Sequence, residues 1–331
     1  MADVHLVVRL GSFGDVMLTT GVLASWHDSL GCRFLVITRD EYAPIFYRHP
    51  GVEKVIPVKP EALSARGWWD FCNYLKNRYP SMKLIDLHGN LRTFFFKRLW
   101  PGKVHSYPKM SMHRRLYAKT GLQFFKNRLL EKNVPQRYAS ALSLDIPDQF
   151  SLTPRIYLQQ HEILKSRALI KDHNPDRKTI CVHPYATHQA KAWPPEQWKI
   201  LVRLLQAADL DWIIIGQNNY PLFPNNPRDL TNQTSIRQTG AVISNCQALV
   251  TGDSGPMHLA TAVGTRVVAL FGPTSREWGF YPTGKHDLVI ESHLPCRPCS
   301  LHGKFIGQCK ARCMTLLEPE QVMKAVRKTL Y

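Results

Sequence analysis

The sequence contains no long hydrophobic run. Its longest apolar stretches, residues 212–215 and 267–271, are far shorter than the ~20 residues that a membrane-spanning helix needs. The N-terminal apolar stretch includes Arg9 and has no small-residue cleavage site, so we expect no signal peptide and a cytoplasmic protein. The eight cysteines of such a protein are expected to be thiols rather than disulfides.

Acidic residues are scarce. The 331 residues include 43 Lys and Arg but 25 Asp and Glu, which gives a formal net charge of +18. Much of this excess lies in residues 97–137, which hold eleven basic residues and a single acid, Glu131. Such a basic segment predicts an anionic partner, either nucleic acid, phospholipid or a phosphorylated substrate, unless it forms a solvated basic face.

The chain also lacks the three-glycine fingerprint of a dinucleotide-binding domain, which disfavours a nicotinamide-dependent oxidoreductase. Its first strand-to-helix turn reads Gly11-Ser12-Phe13-Gly14-Asp15. Glycines let the backbone approach a ligand, and the start of a helix favours an anion. Asp15 is therefore either an acid that interacts with the helix dipole or a carboxylate that accepts a proton from a substrate hydroxyl.

Apolar strands and helical stretches alternate along the chain. The predicted strands are 4–10, 34–38, 55–58 and 83–87 in the first half and 179–183, 212–216, 248–251 and 266–271 in the second. Strands that alternate with helices form parallel sheets through right-handed connections. The pattern predicts an α/β fold with two doubly wound parallel-sheet domains, separated by the polar stretch 171–178. Two such domains place a cleft at the carboxyl ends of their strands.

The turn at residues 251–258 has residue types that suit a diphosphate. It reads Thr-Gly-Asp-Ser-Gly-Pro-Met-His, follows a strand and opens a helix. The backbone N–H groups of Gly255 and Met257 are expected to point outward, towards an anion. Asp253 suits sugar hydroxyls or a lysine, although Asp253 or Ser254 could equally serve as a helix cap.

A second loop, between the strand 179–183 and the following helix, carries Thr187 and Lys191. A hydroxyl and a cation on one loop suit a phosphate leaving group. A single loop lysine is, however, commonly just solvated.

These motifs resemble glycosyltransferase family 9, the ADP-heptose:lipopolysaccharide heptosyltransferases. The resemblance rests on residues 9–15, the Lys-x-Trp-Pro sequence at 191–194, and residues 252–260 and 268–274, with weaker matches at 86–92 and 231–235. It implies a GT-B fold, in which two Rossmann-like domains face each other across a cleft. It also implies inverting transfer of heptose from ADP-heptose to the inner core of lipopolysaccharide.

The resemblance assigns roles residue by residue. Asp15 matches the general base, and Lys191 matches a catalytic contact to the diphosphate. His188 stands where the family often has a second hydroxyl, and Gln217 stands where it often has an acid. The expected donor-binding residues are Thr187, His188, Gln217, Asp253, Ser254, Gly255, Met257 and His258.

For the acceptor we expect contacts from residues near the first turn, the predicted strand 83–87 and the basic segment. Within that segment, the spacing of Arg114, Arg115 and Lys119 fits one face of a helix. The expected acceptor-binding residues are Ser12, Gly14, His88, Arg92, Arg114, Arg115 and Lys119.

The expected domains are an acceptor-binding domain at 1–165, a nucleotide-sugar-binding domain at 175–315, and a C-terminal helix at 318–331 that packs toward the first domain. Catalysis is expected to need no cofactor. The basic segment would attract a phosphorylated lipid glycan and the anionic inner face of the inner membrane. Nucleic acid is not expected as a partner, because the segment has no RNA-binding aromatic signature and no helix-turn-helix.

Four cysteines follow the nucleotide motifs in the pattern Cys296-x2-Cys299-x9-Cys309-x3-Cys313. Paired thiolates at such spacings suit a structural zinc or iron site, but free thiols or a labile disulfide fit the pattern as well.

Two alternatives to the heptosyltransferase remain. One is a GT-B transferase that uses another nucleotide-sugar, such as a UDP-sugar. The other is a basic nucleic-acid-binding protein, which would account for the net charge.

Overall fold

The computed structural model describes residues 3–170, 176–304, 309 and 311–330, and the chain divides into two α/β units. The first unit comprises Met1–Met110 and Val134–Tyr157, and the second comprises Ser111–Asn133 and Leu158–Tyr331. Part of the polar stretch 171–178, which we predicted to be a linker, lies outside the described residues. In the described part of the chain, no helix is both long and apolar enough to span a bilayer.

The first unit is built on a five-stranded parallel sheet in the order β3-β2-β1-β4-β5. Its strands are β1 (Val4–Val8), β2 (Arg33–Arg39), β3 (Val52–Val58), β4 (Lys83–Asp86) and β5 (Val104–Ser106). Its helices are α1 (Phe13–Leu30), α2 (Ala65–Arg78), α3 (Leu91–Leu99) and α6 (Val134–Ala139). Most of β1 is buried, as expected for a parallel strand covered on both faces.

The second unit is built on another five-stranded parallel sheet, in the order β10-β9-β8-β6-β7. Its strands are β6 (Thr179–His183), β7 (Asp211–Ile214), β8 (Ala248–Gly252), β9 (Arg266–Phe271) and β10 (Leu288–Glu291). Its helices are α4 (Ser111–Thr120), α5 (Gln123–Leu130), α7 (Gln160–Arg167), α8 (Pro195–Ala207), α9 (Ile236–Ser244), α10 (Gly255–Ala262), α11 (Arg312–Thr315) and α12 (Pro319–Thr329).

Each sheet has a point at which the strand order reverses. In the first sheet β1 lies beside β4, and in the second β6 lies beside β8. Loops that leave the carboxyl ends of such a strand pair diverge and leave a crevice, which is where open α/β sheets bind ligands. The segments that carry Asp15 and His88 therefore emerge side by side, and so do those that carry Lys191 and Asp253.

Helix α12 belongs to the second unit, which differs from our expectation that it packs toward the first domain. Its apolar side chains Val322, Met323 and Val326 are buried in one cluster with Ile180 of β6 and Trp198 of α8. This amphipathic helix thus completes the core of the second sheet, because burying its apolar face there removes it from water.

Residues 111–133 also belong to the second unit, whereas the expected first domain ran from 1 to 165. The ring of Tyr117 on α4 packs edge-on against Trp278, with centroids 6.1 Å apart. Lys126 on α5 pairs with Glu277 at 3.6 Å. Helices α4 and α5 therefore pack with residues that follow β9, far along the chain.

Gly21 of α1 packs closely against the backbone of a distant segment. A Cβ at this position would lie 2.3 Å from the backbone oxygen of Thr153. Helix propensity alone favours alanine over glycine by about 1 kcal/mol, but overpacking against rigid backbone costs about 1–3 kcal/mol. We expect Gly21→Ala to lower the free energy of unfolding, measured by urea denaturation. Ser29→Ala, on an exposed position of the same helix, should change it by less than about 0.5 kcal/mol. A more stable Gly21→Ala variant would contradict the close packing.

Candidate active site

Asp15 lies in the first turn of α1, where the side chains of Arg9, Ser12 and Tyr138 hold its carboxylate. The guanidinium of Arg9 lies 2.6 Å from Oδ2, and the hydroxyl of Ser12 donates to the same oxygen at 3.0 Å. The phenol of Tyr138 donates to Oδ1 at 2.8 Å. These bonds fix the orientation of the carboxylate, so Asp15 does more than interact with the helix dipole.

The two larger partners of Asp15 are buried and stay hydrogen-bond donors. Burial lowers the pKa of Arg9, but the charge of Asp15 and the phenols of Tyr138 and Tyr107 outweigh it, so the pKa lies above its ordinary value. Burial raises the pKa of Tyr138 well above its ordinary value. Arg9 therefore remains charged and Tyr138 protonated at neutral pH, and about 17% of the Asp15 side chain stays accessible to solvent.

His88 follows β4 beside this carboxylate. The buried Asp86 shapes the turn, since its Oδ1 accepts the backbone N–H groups of His88 and Gly89, each at 2.9 Å. Burial, followed by the nearby charge of Arg9, lowers the pKa of His88 to about 4. His88 is thus a neutral imidazole at pH 7, which can donate to or accept from a sugar hydroxyl.

The structure separates the predicted acceptor residues. Ser12, Gly14 and His88 lie in the first unit around Asp15, as described. Arg92 belongs to the same unit, but it is exposed on α3 and donates to the backbone oxygen of Leu63 at 3.0 Å. The three basic residues of α4, which are Arg114, Arg115 and Lys119, lie in the second unit.

Within α4, Arg115 and Lys119 are exposed one helical turn apart, whereas Arg114 is half-buried. The prediction of one exposed basic face therefore fits Arg115 and Lys119 better than it fits all three residues. They lie outside the first unit, because α4 packs through Tyr117 in the second unit, and their contact with the acceptor stays a prediction.

In the second unit Lys191 and Asp253 form the central ion pair. The ammonium of Lys191 lies 2.5 Å from Oδ2 of Asp253, and the buried Thr274 donates to the same oxygen at 2.7 Å. Both charged side chains are largely buried. Of the two partners that the sequence allows for Asp253, sugar hydroxyls and a lysine, the structure contains the lysine.

Ser254 precedes α10, but its side chain makes no capping hydrogen bond to that helix. Its hydroxyl lies 3.0 Å from Oγ1 of Thr251 and 3.3 Å from Nδ1 of His183. The expectation of an outward N–H at Met257 is corrected, since that group donates to the backbone oxygen of Ser254 at 3.2 Å. Gly255 remains the first residue of α10, at the positive end of its dipole.

The remaining predicted donor residues differ in exposure. Thr187 and Gln217 are exposed, and His188 is half-buried. The pKa of His188 is lowered by burial and by the charges of Lys191 and Lys304, which indicates cationic surroundings that suit a diphosphate. Met257 and His258 are buried on α10, so they are placed to support the turn from beneath.

Sequence reasoning missed several residues that organise these centres. Arg9 was visible as a charge at the end of an apolar strand, which signals a buried ion pair. Tyr138 gave no signal, since it is 123 residues from Asp15. His183 is the last residue of β6 and Thr274 follows the end of β9 by three residues, positions that could have drawn attention to them.

The four C-terminal cysteines are free thiols that influence one another. Burial, followed by the neighbouring thiols, raises the pKa of Cys299, and the same causes raise that of Cys313 to about 11. Cys296 is exposed and Cys309 half-buried. Within residues 3–170, 176–304, 309 and 311–330, no group of three or more His, Cys, Asp or Glu side chains is arranged to hold a metal ion. A structural zinc or iron site here stays a prediction.

Comparison with known proteins places this arrangement in a family. Residues 124–309 match the profile of glycosyltransferase family 9 (heptosyltransferase). The chain is 30% identical over 286 residues to lipooligosaccharide heptosyltransferase 2 of Haemophilus ducreyi, which covers 77% of this chain and 78% of that protein. It is 23% identical over 324 residues to lipopolysaccharide heptosyltransferase 1 of Pseudomonas aeruginosa, which covers 89% of this chain and 85% of that protein.

A solved structure shows the same fold. It is the ADP-heptose lipopolysaccharide heptosyltransferase II of Escherichia coli, which matches with a TM-score of 0.71 and 18% identity over all of this chain and 98% of that one. The two Rossmann-like units thus have the GT-B fold, which many glycosyltransferases share. The chain belongs to glycosyltransferase family 9, as its motifs predicted.

His183 gives a prediction about pH. Burial lowers its pKa to about 4, whereas an unfolded histidine titrates near 6.5. Between these values the unfolded chain binds a proton that the folded chain does not, so stability is present above the unfolded pKa and falls with acidification. At about 1.4 kcal/mol per unit, His183 should account for a loss of about 3 kcal/mol between pH 6.5 and 4.

Urea unfolding at several pH values in that window measures this loss. His183→Asn keeps a polar side chain but does not titrate, so its stability should fall less steeply on acidification. An equal pH dependence in both proteins would show that His183 does not titrate as proposed.

Proposed function

We propose that this chain transfers heptose from ADP-heptose to the inner core of lipopolysaccharide with inversion at the anomeric carbon. The observation that carries the proposal is the Asp15 carboxylate, fixed by Arg9, Tyr138 and Ser12 at the point where the first sheet reverses its strand order. Support for the substrates comes from the relatives, which are named as lipopolysaccharide or lipooligosaccharide heptosyltransferases, one of them with ADP-heptose.

In this reaction Asp15 acts as the general base. It takes the proton from the attacking hydroxyl of the acceptor as that oxygen bonds to the anomeric carbon of the heptose. The bond from the same carbon to the diphosphate breaks on the opposite face, and ADP leaves with its extra negative charge. Arg9 and Tyr138 hold the carboxylate toward the acceptor, and neutral His88 hydrogen-bonds an acceptor hydroxyl.

Lys191 stabilises the departing diphosphate. Its charge is balanced here by Asp253, so the diphosphate competes with Asp253 for the ammonium when the donor binds. Asp253 then becomes available to accept a hydrogen bond from a hydroxyl of the heptose. Thr187, His188 and the start of α10 at Gly255 add hydrogen bonds and positive potential around the phosphates, while Gln217 contacts the nucleoside.

The basic residues between 97 and 137 predict an anionic partner for this chain. We propose that they attract the phosphorylated acceptor and the cytoplasmic face of the inner membrane, as a peripheral association, and that nucleic acid is not a partner. Exposed Arg115 and Lys119 are the strongest candidates on α4. Surface attraction of about 1 kcal/mol per basic residue is sufficient for loose docking.

A transferase that uses another nucleotide-sugar is the remaining alternative. Calorimetric titration with ADP and with UDP separates the two, because purine and pyrimidine differ in size. Tighter binding of UDP would contradict the proposed donor.

Asp15→Asn tests the base. The amide keeps the size of the side chain but cannot take a proton, so we expect transfer to fall about 10²–10⁴-fold while ADP affinity changes little. Turnover is followed with ADP-heptose and a core acceptor, and ADP affinity by calorimetry. Asp40→Asn, at an exposed carboxylate of the same unit, is the matched control and should retain full activity. Wild-type turnover in Asp15→Asn would remove Asp15 from the mechanism.

Lys191→Ala tests the diphosphate contact. Losing a charge-assisted bond of about 1.5–3 kcal/mol should weaken ADP binding about 10- to 100-fold and lower turnover as well. Lys199→Ala, which removes a lysine paired with Glu196 on the surface of α8, should leave ADP affinity unchanged. Equal ADP affinity in Lys191→Ala and the wild type would place Lys191 outside the donor site.

A further inference from the structure

Helices α2 and α3 expose an unusual number of large apolar side chains. We define the α2–α3 face by Trp69, Leu91, Phe94 and Phe95, each of which is at least 45% exposed. Other residues of these helices make the core contacts. Trp68, Leu75 and Phe96, for example, are buried on the side that faces the sheet. Packing of the first unit therefore does not account for the aromatic residues on the outer side.

A groove of about 460 Å³ runs between the two helices. Its walls are mainly apolar, and they include Ala65, Trp69 and Cys72 from α2 and Leu91, Phe95 and Leu99 from α3. A volume of this size lies within the range of about 300–1,000 Å³ that is typical of ligand sites. The groove is large enough and apolar enough to receive a hydrocarbon chain.

Basic residues outnumber acids on α2 and α3, although Lys97 pairs with the buried Asp86 at 3.2 Å. Helix α3 contains Arg92, Lys97 and Arg98 and no acid, and α2 contains three basic residues and one acid, Asp70. The guanidinium of Arg98 lies 5.2 Å from the centre of the Phe94 ring. Aromatic rings beside long basic side chains suit a boundary between hydrocarbon and anionic headgroups, where the rings enter the boundary and the charges reach water.

We propose that the α2–α3 face docks this chain onto an anionic lipid bilayer, with Trp69, Phe94 and Phe95 at the boundary between headgroups and acyl chains and one acyl chain in the groove. A second copy of the chain is a poorer occupant, because the same face would bring like charges together. Docking through this face does not depend on the proposed reaction. Its use for a lipid-linked acceptor rests on the proposed function, and α3 does begin three residues after His88.

Tryptophan fluorescence reports this docking directly. Trp69 is 52% exposed, whereas the other seven tryptophans are at most 6% exposed. Addition of vesicles of phosphatidylethanolamine and phosphatidylglycerol should shift the emission to the blue, and brominated acyl chains should quench it. The Trp69→Phe variant should still bind the vesicles in a flotation assay, but it should show neither the blue shift nor the quenching. A shift that persists in Trp69→Phe would contradict the proposed contact.

Paired substitutions test the affinity. We expect Phe94→Ser with Phe95→Ser to weaken vesicle binding about tenfold or more, since two aromatic contacts with the bilayer are lost. Tyr220→Ser, at an exposed aromatic residue of the second unit, is the matched control and should bind as the wild type does. Vesicles of phosphatidylcholine alone should bind the wild type more weakly. Equal vesicle binding by the double variant and the wild type would overturn the proposal.

Two further readouts separate the possible failures. Transfer to a short water-soluble core acceptor should be unchanged in the double variant, so a loss of vesicle binding there is a docking defect. No transfer by the wild type would instead contradict the proposed function and leave the docking result intact. Sedimentation equilibrium without lipid tests the alternative occupant. If the wild type is a dimer and the double variant is a monomer, the α2–α3 face binds a second copy, and bilayer docking is overturned.

Discussion

The ion pair between Arg9 and Asp15 is the interaction on which the first unit's site depends. Moving an arginine out of water is unfavourable unless a partner offsets the lost hydration. Besides Asp15, Arg9 donates to the backbone oxygen of Leu87 after β4. One guanidinium therefore joins the segments that follow β1 and β4, and Tyr138 of α6 closes the arrangement from a third element.

The second unit repeats this physical solution with a different cation. Lys191 and Asp253 lie on loops that leave β6 and β8, the strand pair at which the second sheet reverses its order. Arginine presents a rigid planar fork, whereas lysine is a compact charge on a flexible stem. This difference fits the proposed roles, since Arg9 holds a base in place and Lys191 has to exchange Asp253 for a diphosphate.

Much of the fold could be predicted because buried parallel strands are short apolar runs. The strands Thr179–His183 and Arg266–Phe271 have the predicted bounds, and the other six predicted strands differ from the structure by a few residues. The edge strands β5 and β10 were not predicted. The prediction gave no bounds for the helices between 91 and 139, whose apolar residues are interrupted by basic ones. Such helices are fixed by distant partners, as the packing of Tyr117 against Trp278 illustrates.

The contrast between local pattern and distant contacts also limited what could be predicted of the site. Asp15, Lys191 and Asp253 are recognisable because each lies in a local motif at a strand end. Tyr138 is not, because its bond to Asp15 exists only after α6 has packed beside α1. Local sequence indicates the residues that we propose to react, whereas tertiary packing supplies the residues that orient them.

The distribution of charge changes the meaning of the basic segment. Sequence alone suggests one region from 97 to 137, but its residues are divided, with 111–133 in the second unit and the rest in the first. Charge attracts a membrane over a Debye length of about 10 Å at 0.1 M salt, and it fixes no orientation by itself. An apolar face in contact with acyl chains does fix one. Since the α2–α3 face belongs to the unit that holds Asp15, bilayer docking there would keep the proposed base close to the surface where a lipid-linked acceptor resides.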